Sequence, residues 1–377
     1  MSADLTMQTR ARRRRRTAAG RIAGLAAATA FACWLPFQLE RGDVGLYDRM
    51  GLYALVAIGL TLLMGFAGQV SLGQGGFFLI GAYTSGLLTV GLDPDKRLVD
   101  PEAGIDPLLA VAIAPLVSAA VALVIGIPLM RLRGHYLAFA TLAFALIAWS
   151  LLYAQDRFTG GQYGVTVAKR VAVGDHEITG ATHAAVVWGL VGLALLLSTN
   201  LVASRIGRAL QAIAANEPAA AASGINVAAY KLQLFVYAAG LAGLAGGLFT
   251  FYAQFLGPED FVIVLSLLFV VMVSIGGLGS VYGAVVGAVT IVYVEHKLRE
   301  LGTHESLLGW DLPPQGPSIL SLGAFGLLLI TIMLFFPHGL LPALLGGIDA
   351  TRRRLVKRVP SREAPGQPVA DDEPEQP

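Results

Sequence analysis

Apolar stretches of bilayer-crossing length recur along this chain, and they restrict what it can fold into more than any other feature. A helix needs roughly 17–25 predominantly apolar residues to span a membrane. Such runs occur near 19–39, 108–130, 136–153, 185–203, 232–254 and 319–341. Two further apolar regions, 50–92 and 262–294, are too long for one crossing, and each is interrupted by glycine-rich sequence. Reading each of these as two spans gives an all-α, polytopic membrane protein with about ten transmembrane helices. Charged residues make up only 14% of the 377 positions, against about 25% in a soluble domain, which excludes an ordinary globule. The lipid bilayer is therefore the first partner the sequence implies. The abundance of glycine, 45 residues, fits close helix packing in lipid.

The basic residues orient the spans. Arg10 and Arg12 to Arg16 precede the first apolar run and place the N-terminus in the cytoplasm under the positive-inside rule. Alternation then puts the acidic loop 93–107 outside, while Arg131, Arg133, His135, Arg205, Arg208, Lys231 and the cluster Arg352 to Arg358 fall inside. Arg157, Lys169 and Arg170 are an exception, on an outer segment where acids balance them. Both termini are expected in the cytoplasm: a basic N-terminal segment 1–18, a transmembrane domain 19–345, and a tail 346–377 whose Pro, Glu and Asp content predicts disorder. Ala30-Phe31-Ala32 also offers a signal-peptide cleavage site, but the apolar run continues to Leu39 at full spanning length.

Chemistry-bearing motifs are scarce. No span carries a well-centred acid or base, and Glu295 and His296 fall at a span end where snorkelling is cheap. Proton- or ion-coupled carriers usually display such groups. The chain has no Walker A sequence, Cys33 is its single cysteine, and neither a metal cluster nor a nucleophile–base pair stands out. No catalytic residue and no cofactor are expected, and nothing points to nucleic acid.

Three polar features remain. The first glycine-rich break, Gly65 to Gly76, contains Gln69, Ser71 and Gln74. Paired glycine-interrupted segments point to a transport pathway, so these three residues are candidate pathway groups, and a tight turn between helices is the equal alternative. The second break, Gly276 to Gly283, reads rather as a turn. The third feature is the polar loop 204–231 between two apolar runs. Within it Asn216 is a suitable N-cap, Glu217 and Pro218 suit a first helical turn, Ala219 to Ala222 propagate helix, and Gly224 fits a left-handed terminus. The result is a helix of about two turns, marginal unless something docks against it. Whether it docks or merely connects is left even by the residues alone.

The loop resembles that of permease subunits of ATP-binding-cassette importers of the branched-chain amino-acid type, the LivM branch. The resemblance is carried by Gly207 to Leu210, Ala212-Ile213, Asn216-Glu217, Ala219-Ala220, Gly224-Ile225 and Tyr230-Lys231-Leu232. Gly65 to Gly73, Phe77-Phe78, Gly81 to Tyr83, Arg131 to Leu146, Thr159 to Gly161, Gly276 to Gly279 and Phe336 to Leu341 extend it across roughly 45–345. It implies that 216–224 is a coupling helix, with Asn216, Glu217, Ala220 and Gly224 contacting a cytoplasmic ABC ATPase. It also implies a second related permease subunit, a periplasmic solute-binding protein, and alternating access in the inner membrane of a bacterium. The family commonly has His where Gln74 stands, so substrate preference does not transfer from that position. Urea or short-amide uptake by the same architecture, and a stand-alone secondary transporter, remain as alternatives.

Overall fold

The computed structural model describes residues 23–90, 104–132, 134–155, 159–167, 169–173 and 176–301, together with Gly20 and scattered positions between 306 and 334. The expected span at 319–341, the segment 1–18 and the tail 346–377 lie wholly or mostly outside them. The chain is predominantly helical. In order come α1 (Ala23–Phe37, its last turn 3-10), α2 (Arg41–Thr61), α3 (Gln74–Val90), α4 (Pro107–Leu129) and α5 (His135–Ala154). They are followed by α6 (Ala181–Ala203), α7 (Arg205–Ala215), α8 (Glu217–Ala222), α9 (Val227–Ala253), α10 (Ile263–Gly276) and α11 (Val281–Leu301).

Six helices among the described residues are long and apolar enough to cross a membrane: Gly42–Phe66, Pro107–Leu129, His135–Ala154, Ala181–Ala203, Val227–Ala253 and Val281–Glu300. The shorter α1, α3 and α10 lie where the sequence places further spans. The protein is thus a multi-pass membrane protein. One helix, α7, is a surprise against the sequence reading, which took 204–215 as loop. Ser204 caps it through bonds from the Ile206 and Gly207 amides, and Leu210 and Ile213 face inward.

α9 is the hub and packs along α2, α3 and α4. Lipid supplies no hydrophobic drive between helices, so association depends on close approach and interhelical hydrogen bonds. α9 achieves this with small residues: a methyl added to Gly246 would collide with the Phe78 carbonyl of α3, and Gly81 of α3 meets the Gly243 backbone. Hydroxyls stitch the same seams. Thr250 donates to the Ala82 carbonyl at 2.9 Å, Ser85 to Ala110 at 3.1 Å and Ser118 to Phe77 at 3.2 Å. Phe78 sits at the centre of an aromatic cluster with Tyr53, Phe249, Phe261 and Phe269. α4 and α5 turn Leu116, Val124, Phe139 and Leu151 outward, as lipid-facing helices do.

The connections segregate to two ends. At one end, called here the loop end, lie α7, α8 and both glycine-rich breaks: Gly68 lies against Ala214, and Gly65 against Leu278. At the far end, Val165 and Thr166 pair antiparallel with Leu256 and Phe255, Lys169 reaches the Gly104 carbonyl at 2.9 Å, and Trp149 donates to Pro258 at 2.9 Å.

Candidate functional site: the loop end

The short helix α8 forms as the capping residues predict. The Asn216 side chain accepts from the Ala219 amide at 3.0 Å, Pro218 occupies the first turn, and Gly224 takes φ 83° just beyond the end. Asn216, Pro218, Ala219, Ala221, Ala222 and Gly224 are exposed, whereas Ala220 is buried. Ala220 therefore packs the helix onto the body of the protein, and the free face is made by its neighbours. Glu217 is also not free: its carboxylate accepts from the Lys231 ammonium at 2.7 Å. Lys231 is the fifth residue of α9 and its side chain is only 13% exposed. The ion pair ties the exposed two-turn helix to the hub of the bundle.

The first break lies directly beneath. α2 does not stop at Thr61 but continues through a π-turn, Leu62–Phe66, in which the Ala67 amide donates to Leu62 at 3.2 Å. π-turns are uncommon and concentrate at functional sites. The chain then runs without helix from Ala67 to Gly73, with Gly68 at φ 63°. Leu72 donates from its amide to Thr141 of α5 at 3.0 Å, and a hydrogen bond runs from the Gln69 amide group to the Met130 sulfur at 3.4 Å. Gln69, Ser71 and Gln74 are all buried, Gln74 completely. Gln69 Oε1 and both polar atoms of Gln74 have no protein partner. Leaving a buried amide unsatisfied costs about 1–3 kcal/mol, so this layer is strained in polar terms although it is closed to solvent.

The second break is tighter. α10 ends at Gly276, Gly277 takes φ 102° and ψ 114°, and α11 begins at Val281. Leu278 in this turn offers its carbonyl to the surface of α2 at Gly65, where any side chain would collide with it. The first break therefore touches both α7 and the second break.

A sequence profile described as the permease component of branched-chain amino acid transport systems matches residues 45–336. The chain belongs to this family of transport permeases. The permease is 30% identical to the high-affinity branched-chain amino acid transport system permease protein LivM of Salmonella typhimurium, over 81% of this chain and 72% of the relative. It is 29% identical to LivM of Escherichia coli over the same shares. It is also 28% identical to LivH of Salmonella typhimurium, over 77% of this chain and 91% of the relative. No solved structure matches. The family is one of transport subunits, not of enzymes.

Sequence reasoning missed one set of polar groups in the permease. Asp48 and Arg49 lie in the first third of the span that α2 opens, not at its centre, and Asp48 is buried. Asp48 Oδ2 is 2.6 Å from His183 Nδ1 of α6, both residues 3% exposed. Arg49 pairs with Glu295 of α11 at 3.2 Å, and Glu295 also holds Arg299 at 2.9 Å. Glu295 is thus a partly buried member of an ion network rather than a snorkelling end group. The misreading came from starting the second span at residue 50, when the helix begins nine residues earlier. At the same far end, burial pushes the Asp260 carboxyl above the usual carboxylate range, opposed by the Gly257 amide that bonds to it. Among the described residues no cluster of three or more His, Cys, Asp or Glu is placed to hold a metal.

Proposed function

We propose that this permease is the membrane subunit of an ATP-binding-cassette importer for branched-chain amino acids in the inner membrane of a bacterium. The loop end faces the cytoplasm and α8 seats in a cleft of a separate ATPase. The observation that carries the reading is a capped, exposed two-turn helix held by Glu217–Lys231 to the one helix that packs against α2, α3 and α4. A helix that short is not stable in isolation, and its exposed Pro218, Ala219, Ala221 and Ala222 offer a small apolar face to a partner.

Force applied at α8 has two short routes inward. One runs through Glu217–Lys231 into α9, whose glycine-lined seam with α3 leaves no slack. The other runs through Ala214 of α7 against Gly68, and from there to Gly65 and Leu278. Gln69, Ser71 and Gln74 lie on that second route as a sealed layer. In this role they form a closed cytoplasmic gate whose unpartnered amide atoms gain partners, or water, when the gate opens. Ligands shift such equilibria only by binding one state better than the other, so the docked ATPase must favour the opened arrangement in one nucleotide state and the closed one in another.

The similarity to proteins named LivM and to others named LivH supports a second, related permease subunit beside this one, with solute crossing between the two. A periplasmic solute-binding protein would deliver it at the far end. The descriptions of the family and of these relatives favour branched-chain amino acids over urea or short amides. The test is reconstitution. Vesicles containing the chain with its ATPase, partner permease and binding protein should take up leucine only with ATP. Uptake by the purified chain alone, without ATPase, would sink the importer reading and establish a stand-alone carrier.

A further inference from the structure

At the far end a cavity of about 650 Å³ opens between the end of α1, the first half of α2, the segment before α6 and the end of α9. Asp48 and His183 are part of its wall, together with Arg170 and the apolar Phe37, Val44 and Phe251. We infer that this cavity is a binding site for a zwitterionic amino acid with an aliphatic side chain, its ammonium group recognised by Asp48 and its carboxylate by Arg170. The inference rests on the importer reading, which makes the far end the face where solute arrives.

Four observations converge on it. First, Asp48 and His183 have one hydrogen bond between them, and Asp48 Oδ1 and His183 Nε2 are buried without any protein partner. An ionisable pair kept within a span is costly and marks a functional site by default, and one left half-satisfied is costlier still. Second, the neighbouring cation does not complete it: Arg49 is paired with Glu295 of α11 at 3.2 Å. Asp48 thus keeps an acceptor without a donor, on an oxygen closed to solvent, so an ammonium with three donors to offer reaches it only as the side chain turns into the cavity. Third, Arg170 is half exposed and held by Glu177 at 2.8 Å in a surface pair. Such pairs are worth little, so its guanidinium can exchange Glu177 for a ligand carboxylate, which it grips in bidentate fashion. Fourth, Gln254, also lining the cavity, ends α9 as its left-handed C-cap, and the Val167 amide holds its carbonyl at 2.8 Å, so backbone bonds fix this part of the rim.

A rival role for the acid–imidazole pair is a plain clamp between α2 and α6. Asp48→Asn separates the two, because asparagine keeps an oxygen to accept from His183 and nearly the same volume but loses the charge an ammonium needs. The membrane complex of both permeases and the ATPase, without the binding protein, is purified and its melting followed with leucine, and with 4-methylpentanoate, which has the same aliphatic chain and carboxylate but no ammonium. Leucine is expected to raise the melting temperature of the natural complex while 4-methylpentanoate does not, and Asp48→Asn should abolish the leucine shift. In vesicles Asp48→Asn should lower leucine uptake at least tenfold while ATP hydrolysis stimulated by the binding protein persists.

Equal shifts from both compounds, no shift from leucine, or natural uptake by Asp48→Asn would each overturn the site. If the natural complex hydrolyses no ATP in response to the binding protein, the importer reading fails instead, and the melting shift still decides whether the cavity binds leucine. Should Asp48→Asn not assemble, Arg170→Gln at the half-exposed mouth serves: at least a fivefold weaker leucine affinity is expected, and unchanged affinity overturns the assignment.

Discussion

The two glycine-rich breaks carry similar sequence yet do opposite things. The break at 67–73 is a seven-residue non-helical passage that follows a π-turn, and it and the first residue of α3 bury three polar side chains, two of them with unpartnered atoms. The break at 277–280 is a tight turn that buries none of its own polar side chains and fixes its geometry with one glycine at φ 102°. Glycine in both breaks allows close backbone approach and a positive φ, at Gly65 and Gly68 in the first and at Gly276 and Gly277 in the second; what differs is the polar load. One break is a place where the structure stores unsatisfied polarity, and the other is a rigid corner. They meet at Gly65 and Leu278, so the rigid corner braces the polar passage.

The largest expected effect lies at that meeting point. Gly65→Val places a branched side chain where even a methyl collides with the Leu278 carbonyl. Because the obstacle is backbone, no rotamer relieves it. A loss of roughly 3 kcal/mol or more follows, read as a collapse of the melting temperature of the detergent-purified protein. If Gly65→Val melts like the natural protein, the two breaks are not braced against each other.

Next come the glycines inside each break. Gly277→Ala should cost about 1–3 kcal/mol because its φ and ψ lie where non-glycine residues are strained. Gly68→Ala, at φ 63° with only ordinary contact to Ala214 at 3.6 Å, should cost about 1 kcal/mol. Parallel melting curves rank them, and a reversed order would dissolve the distinction between rigid corner and compliant passage.

The smallest effect has the opposite sign. Gln74→Leu removes a fully buried amide that has no partner and puts an apolar side chain of similar size in its place. Stability should rise by up to about 1 kcal/mol while leucine uptake falls, as expected if the amide is needed only in the opened gate. Lower stability would mean that Gln74 is already satisfied here.

How much of this was legible in the sequence depends on range. α8 could be read almost residue by residue, because capping by Asn216 and termination at Gly224 are local chemistry. α7 was missed although Ile206, Leu210 and Ile213 recur at helical spacing behind a Ser204 cap; the flanking arginines drew it into a loop. The polar character of the first break was visible, but not that Gln69, Ser71 and Gln74 are sealed against α4 and α5, since Met130 and Thr141 are about 60–70 positions away. Asp48 and His183 are 135 residues apart, and no periodicity or spacing links them. Glu217 was read as suiting a first helical turn, but not as the partner of Lys231, 14 positions away.

That last contact supports the most direct test of the central claim, that α8 drives the bundle through α9. The measurement is binding-protein-stimulated ATP turnover of the reconstituted importer with Glu217→Lys, with Lys231→Glu, and with both together. The ion pair as a force-bearing strut predicts at least a tenfold loss in each single variant, with protein still inserted, and recovery of most of that loss when the charges are exchanged. Unchanged turnover in both single variants would contradict it.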